Sequence, residues 1–185
     1  ALLAAVATEG FVRLNTVLAE AVEVESNATL GFRAQGLAFT RFAIAHPAHF
    51  QAMYLARLHE NPANTELAQA RRNANQSFRD QIAKARKSGG LAPFDEQHIA
   101  LAALALVYGT ARLFVDSVLP GGEDAALAAH VTEAVTEVFG AGLVPREGPL
   151  GAVGQVTPSL PIELLPDHGL AAEAASAVDI KRSDP

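Results

Sequence analysis

The sequence predicts an all-α protein, and three observations carry that prediction. From residue 1 to about 140, every clear apolar periodicity runs at steps of three and four, the spacing of one helix face. No run alternates apolar and polar residues between turn signals, as a half-buried strand would. The breaking residues fall between the periodic stretches, where Pro suits a helix start and Gly a helix stop. Half of the 185 residues are apolar, enough for a substantial core. Six helices are expected within residues 1–142, followed by an irregular tail over 143–185.

The first helix covers residues 1–25. "ALLAAVATEGFVRLNTVLAEAVE" is in helical rhythm from its second residue, with Leu3, Val6, Ala7, Gly10, Phe11, Leu14, Val17, Leu18, Ala21 and Val22 on one stripe. It lacks the Ser, Thr, Asp or Asn that usually precedes the first apolar residue of a helix, so it reads as the continuation of an upstream helix. "SN" at 26–27 ends it and caps the second helix, "ATLGFRAQGLAFTRFAIAH". There Leu30, Ala34, Leu37, Ala38, Arg41, Phe42 and Ala45 make one face, while Phe32 and Phe39 lie off it. A helix apolar on more than one side is a buried one.

Pro47 opens the third helix, which carries Phe50, Met53, Tyr54 and Leu58 and stops at "HENP". Asn61 and Pro62 then start the fourth, which runs to Lys87. Its narrow stripe is Leu67, Ala70, Ala74, Phe78, Ile82 and Ala85, with Arg71, Arg72, Arg79, Lys84, Arg86 and Lys87 expected to face water. The basic last turns suit the negative end of the helix dipole, and "SGG" stops the helix. Asp95 caps the fifth helix, which is apolar nearly all round up to "PGG" at 120–122. The sixth repeats Leu127, Val131, Ala134, Val135 and Val138. Two helices this apolar need partners on more than one side. A homodimer through the last two helices is therefore expected, using Leu106, Leu113, Phe114, Leu127, Val131, Val135 and Val138.

The tail holds six of the ten prolines and no aromatic residue, a composition that cannot bury enough apolar surface to offset its ordering entropy. Disorder is expected there. The net charge of −6 argues against this chain gripping a nucleic-acid backbone by itself. With no cysteine, disulfides and thiolate metal sites are excluded. Residues 99–119 have the length of a membrane span, but Arg112 and Asp116 lie inside the stretch, and each would cost about 2.5–3.5 kcal/mol near a bilayer centre. A cytoplasmic protein with no membrane partner is expected.

Catalytic signatures are missing from the sequence. His46 and His49 flank a proline at a helix junction, which suits a capping or partly exposed pair better than a shared metal. No Glu is followed by His three residues on, as a dinuclear helical bundle requires; Asp95 and His98 give one such spacing without a second copy. No nucleophile elbow and no phosphate loop occur. The expectation is a non-enzyme without metal or cofactor. What the sequence does concentrate is bulky and aromatic residues from four helices: Phe39, Phe42, Phe50, Met53, Tyr54, Phe78 and Tyr108, with Ala and Gly between them. Large rings among small side chains can leave an apolar pocket. Tyr54, Arg57, His98 and Tyr108 are its candidate polar groups, and Arg112, four residues before Asp116, is a further ligand candidate. An ordinary filled core is the alternative, and it would make the chain a ligand-free dimerisation module.

"ALLAAVATEGFVRL", "FTRFAIAHPAHFQAMY" and "LALVYGTARLFVDSVLP" together resemble the effector-binding C-terminal domain of TetR-type transcriptional regulators, in a subgroup named for a Trp-x-x-x-His-Gly motif. Phe42, His46, Pro47, Phe50 and Met53 fall where that subgroup has them. Leu104 and Tyr108 replace the Trp and His of the motif, and Gly109 is kept. The resemblance implies a six-helix ligand-binding and dimerisation domain whose first helix continues from an N-terminal helix-turn-helix. It also implies a small-molecule effector, and contact with DNA only through that N-terminal domain.

Overall fold

The computed structural model describes residues 2–119 and 125–143, which contain helices and no strand. In chain order these are α1 (Leu2–Glu23), α2 (Ala28–Ala45), α3 (Pro47–Met53), α4 (Ala56–His59), α5 (Thr65–Lys87), α6 (Glu96–Val115) and α7 (Ala125–Leu143). The expected tail lies outside the described residues, apart from Leu143, which is buried in the last turn of α7. The "PGG" stop also lies outside them.

Helix α1 buries the stripe read from its sequence, with Ala7, Gly10, Phe11, Leu14 and Leu18 turned inward. Gly10 is there because α3 passes too close for a side chain: a Cβ at this position would lie 2.6 Å from Met53 Sδ. Asn27 caps α2 as expected, its Oδ1 accepting from Leu30 N at 2.9 Å. His46 serves both neighbouring helices. Its N–H donates to Phe42 O, and its carbonyl accepts from Phe50 N at 3.0 Å.

One short helix was not expected. The third helix stops at Met53, and residues 56–59 form a separate single turn, α4. Two side chains take the carbonyls that a continuous helix would use. His59 Nε2 meets Met53 O at 2.6 Å, and Asn64 Nδ2 donates to Leu58 O at 2.7 Å. With Asn64 spent on that bond, α5 begins at Thr65 rather than Pro62, and Asn61 caps only the preceding turn through Ala63 N.

Helix α2 sits at the centre, packed against α1, α3, α5, α6 and α7. It buries Gln35 and Thr40 along with its phenylalanines, while Leu30, Arg33, Arg41 and Ala45 form an exposed stripe that takes in part of its expected apolar face. Helix α5 buries its expected stripe, but Arg71 is inside as well, at 9% exposure, which corrects the expectation that it faces water. Gln81 is likewise buried and donates to Ala28 O at 2.8 Å, tying α5 to the start of α2. Helix α7 gives its core side to small residues, not to the expected dimer residues. It buries Ala128, Thr132 and Thr136, and each threonine hydroxyl is satisfied by a carbonyl four residues back. Of the expected outer dimer residues, Val138 is 76% exposed and Leu113 on α6 is 40% exposed; Leu127 is also exposed, and Leu106, Val131 and Val135 are half-buried. Phe114 is the exception. At 4% exposure it belongs to the core, because the turn of α6 that carries it faces inward.

Helices α5 and α6 close with the same backbone device. Gly89 takes φ +74°, with Gly90 N bonded to Ala85 O and Gly89 N to Arg86 O, the paired bonds of a Schellman ending. At α6 a serine fills that left-handed position: Ser117 has φ 56°, with Val118 N on Leu113 O and Ser117 N on Phe114 O. A non-glycine residue there costs roughly 1–2 kcal/mol. Ser117→Gly is expected to raise the unfolding free energy by about 0.5–1 kcal/mol, and Gly89→Ala, with open space around its Cβ, to lower it by about 1 kcal/mol. Urea denaturation followed by circular dichroism checks both.

Candidate functional site

Four of the rings singled out by the sequence form one connected cluster, while Phe78 pairs with Phe32 and Phe42 with His46. Phe39 meets Phe50 edge-on at 6.0 Å between ring centres, Phe50 meets Tyr54 at 5.1 Å and Tyr108 at 5.5 Å, and the two tyrosine rings lie 4.7 Å apart. Phe11 on α1 joins through Tyr54 at 6.1 Å. These contacts bring α1, α2, α3 and α6 to one place. Phe42 and Met53 are buried in the same core.

Beside the cluster is a cleft between α1, α2, α5 and α6. Phe11, Leu14 and Leu18 line it from α1; Gln35, Gly36 and Phe39 from α2; Ala74, Asn75 and Phe78 from α5; Leu104 and Val107 from α6; and Tyr54 from the end of α3. Its empty space, open mouth included, is about 530 Å³, but the centre of a water-sized sphere can occupy only about 40 Å³ of it. One water needs roughly 10–15 Å³ on that measure, so the interior is narrow. Of the expected ligand residues, Phe39, Tyr54 and Phe78 line the cleft. Phe42, Phe50, Met53 and Tyr108 do not line it, and all four pack in the same core as ring neighbours or core partners of residues that do.

The expected charged groups lie elsewhere. Arg57 is exposed on α4, and His98 sits in the first turn of α6, where its N–H donates to Asp95. Arg112 pairs with Asp116 at 2.6 Å near the end of α6. His46 and His49 stack edge-on at 5.9 Å, with His49 Nε2 3.7 Å from Glu9, and no metal-ligand group of three forms among the described residues. The polar groups on the cleft are neutral: Gln35, Tyr54 and Asn75. Sequence reasoning missed Gln35 and Asn75. Gln35 is only 2% exposed, and its Oε1 is buried without a hydrogen-bond partner. A glutamine between Ala34 and Gly36 in an otherwise greasy helix was the available signal.

Burial, with Tyr108 beside it, pushes the Tyr54 phenol far above its ordinary pKa, so it stays protonated at any physiological pH. His59 shifts the other way. Partial burial lowers its pKa, the Arg71 charge lowers it further, and its bond to Met53 O opposes both. A carbonyl can only accept, so the neutral ring carries its proton on Nε2.

The sequence matches the family model described as Tetracyclin repressor-like, C-terminal domain, over residues 32–138. The chain belongs to that family. A protein of unknown function from Rhodococcus sp. RHA1 is similar at 32% identity with a TM-score of 0.67, over 77% of this chain and 72% of that one. A bacterial regulatory protein in the tetR family from Rhodococcus RHA1 shares the fold at 20% identity with a TM-score of 0.59, over 74% of this chain and 71% of that one. No curated protein matches the chain. In this tetracyclin repressor-like domain, α1 and α6 are both long and apolar enough to cross a membrane by length and composition. Both are also packed in the bundle, each against α2 and α5.

The depressed His59 pKa links folding to pH. The unfolded chain takes up the His59 proton near the ordinary histidine value of about 6.5, the folded chain only at lower pH. Stability from this group is therefore present above pH 6.5 and is lost as pH falls through the folded-state value. Denaturation midpoints recorded from pH 7.5 to 5 are expected to fall less steeply below 6.5 for His59→Gln, which keeps a donor for Met53 O, than for the unaltered protein.

Proposed function

We propose that this domain is the effector sensor of a TetR-type transcriptional regulator, and that its cleft takes a small apolar or aromatic molecule. Domains of this family are typically effector-binding and regulatory, and the regulators are soluble, non-enzymatic transcription factors. The observation that carries the finer reading is the makeup of the cleft: one wall is α1, the helix that in this reading carries the DNA-reading head. Phe39, Tyr54 and Phe78 would touch the ligand, while Phe50 and Tyr108 would hold them in position.

The mechanism is a population shift between two tilts of α1. A dimer must hold its two reading heads about 34–36 Å apart to enter successive major grooves, so a small tilt at the cleft becomes a spacing error at the DNA. Reversing such an equilibrium from 1:99 to 99:1 takes about 5.5 kcal/mol of differential affinity.

The dimer reading rests on α6 and α7. Both place apolar residues outward, with Leu113 and Val138 the most telling, and α7 gives its core side to Ala128 and two threonines. Two copies would form a four-helix interface with twofold symmetry. The narrow interior of the cleft favours a second reading, a dimerisation module without a ligand.

Thermal shift against a library of apolar and aromatic compounds separates the two readings. A ligand at 100 times its dissociation constant adds about 2.7 kcal/mol of stability, whereas a ligand-free module shows no shift with any compound. Sedimentation is expected to give a dimer at micromolar concentration. The double variant Leu113→Asp with Val138→Asp is expected to sediment as a monomer with its helicity retained, and an unaltered chain that sediments as a monomer would remove the dimer reading.

A further inference from the structure

Gln35 is at odds with its surroundings. It sits in the middle of the central helix, 2% exposed, with Phe11, Leu14, Phe39 and Val107 among its neighbours on the cleft wall. A buried carbonyl without a donor loses its hydration with nothing in return, and a leucine or methionine would fill the same space at no such cost. Several other buried polar side chains satisfy themselves: Thr40 bonds to Gly36 O, Thr110 to Leu106 O, and Gln81 to Ala28 O. Gln35 Oε1 does not.

Among the described residues no Lys, Arg, His, Asp or Glu lines the cleft, and its other polar walls are Tyr54 and Asn75. An ion brought there would lose its hydration with no opposite charge to meet it. The Tyr54 phenol stays neutral, as described above, and supplies no charge either.

We infer that the ligand of this cleft is an uncharged, ring-bearing molecule that carries a hydroxyl or N–H donor, and that Gln35 Oε1 receives that donor. The inference rests on the proposed reading of the cleft as a ligand site and specifies what the site selects. Gln35 is then a specificity residue. Apolar walls bind the rings of many compounds with little discrimination, whereas an acceptor left unpaired by the wrong compound rejects it more strongly.

The test is a matched series of two-ring probes titrated into the intact chain by calorimetry: 2-naphthol, with a hydroxyl donor; naphthalene, with no polar group; and 2-methoxynaphthalene and 2-acetylnaphthalene, which only accept. The expected result is that 2-naphthol binds at least tenfold more tightly than the other three. Gln35→Met, which keeps the length of the side chain and removes the acceptor, is expected to abolish that preference while naphthalene binds as before. Its denaturation midpoint without ligand should equal or exceed that of the unaltered protein, since no native hydrogen bond is lost. Equal affinities across the series, or tightest binding by a compound that only accepts, would overturn the role of Gln35 and leave the cleft as a ligand site. A clear fall in the ligand-free midpoint of Gln35→Met would overturn it too, by showing a structural bond to this side chain. If none of the four probes binds, the inference and the reading beneath it fail together.

Discussion

The rest of the domain depends on the enclosure of α2. Five helices pack against it, and one stripe, with Arg33 and Arg41 on it, is left to solvent. Where neighbours come close its residues are small: a Cβ on Gly31 would lie 2.6 Å from Gln81 Nε2. Where neighbours diverge, Phe32, Phe39 and Phe42 fill the space. The cleft is the place where filling stops short. Gly36 and Ala74 stand on facing walls, and neither reaches the middle. A helix enclosed in this way also fixes the distances between its neighbours, because α1, α5 and α6 are positioned largely by what each finds on α2.

Much of this could be read from the sequence, and the parts that could depended on local rules. Asn27, Pro47, Asp95 and "SGG" each act within one turn of backbone, and each does in the structure what it was expected to do. The stripes of α1 and α5 were legible because those helices have one wet side. The stripe of α2 was not, since its exposed side carries Leu30 and Ala45 beside Arg33 and Arg41. Helix α4 was hidden for a related reason. It is made by His59 and Asn64 reaching back six residues to backbone carbonyls, contacts that no periodicity reports. Arg71 looked like a solvent residue from charge alone, and its burial depends on the packing of α5 against the rest of the core.

The phase of α7 has a cause of its own. The sequence reading assigns Leu127, Val131, Val135 and Val138 to a dimer interface, and α2 takes a different side, with Ala128, Thr132 and Thr136. Threonine can be buried in a helix without cost to its hydroxyl by bonding to the carbonyl one turn back, and Thr132 and Thr136 both do so at 2.7–2.8 Å. These side chains are also small, which lets α7 lie close to α2. The more apolar side is left for something outside the subunit. A helix with a modest inner face and a greasier outer one is difficult to explain in a monomer and natural at a subunit interface, where burial is completed only on pairing.

The narrowness of the cleft bears on how it would signal. With about 40 Å³ open to water-sized centres, a two-ring molecule has no place in the closed arrangement, and drug-sized pockets run to roughly 300–1,000 Å³. In the proposed reading the walls must therefore part for anything to bind. Helix α2 meets five helices, while α1 lies on α2, α3 and α5, and α6 on α2, α5 and α7. In the proposed reading the wall that moves is α1, the one that would lead to DNA. A ligand shifts an equilibrium only by its difference in affinity between the two states. A ligand that cannot enter the closed state has a difference as large as its affinity for the open one, so in this cleft tight binding and strong switching would be one property.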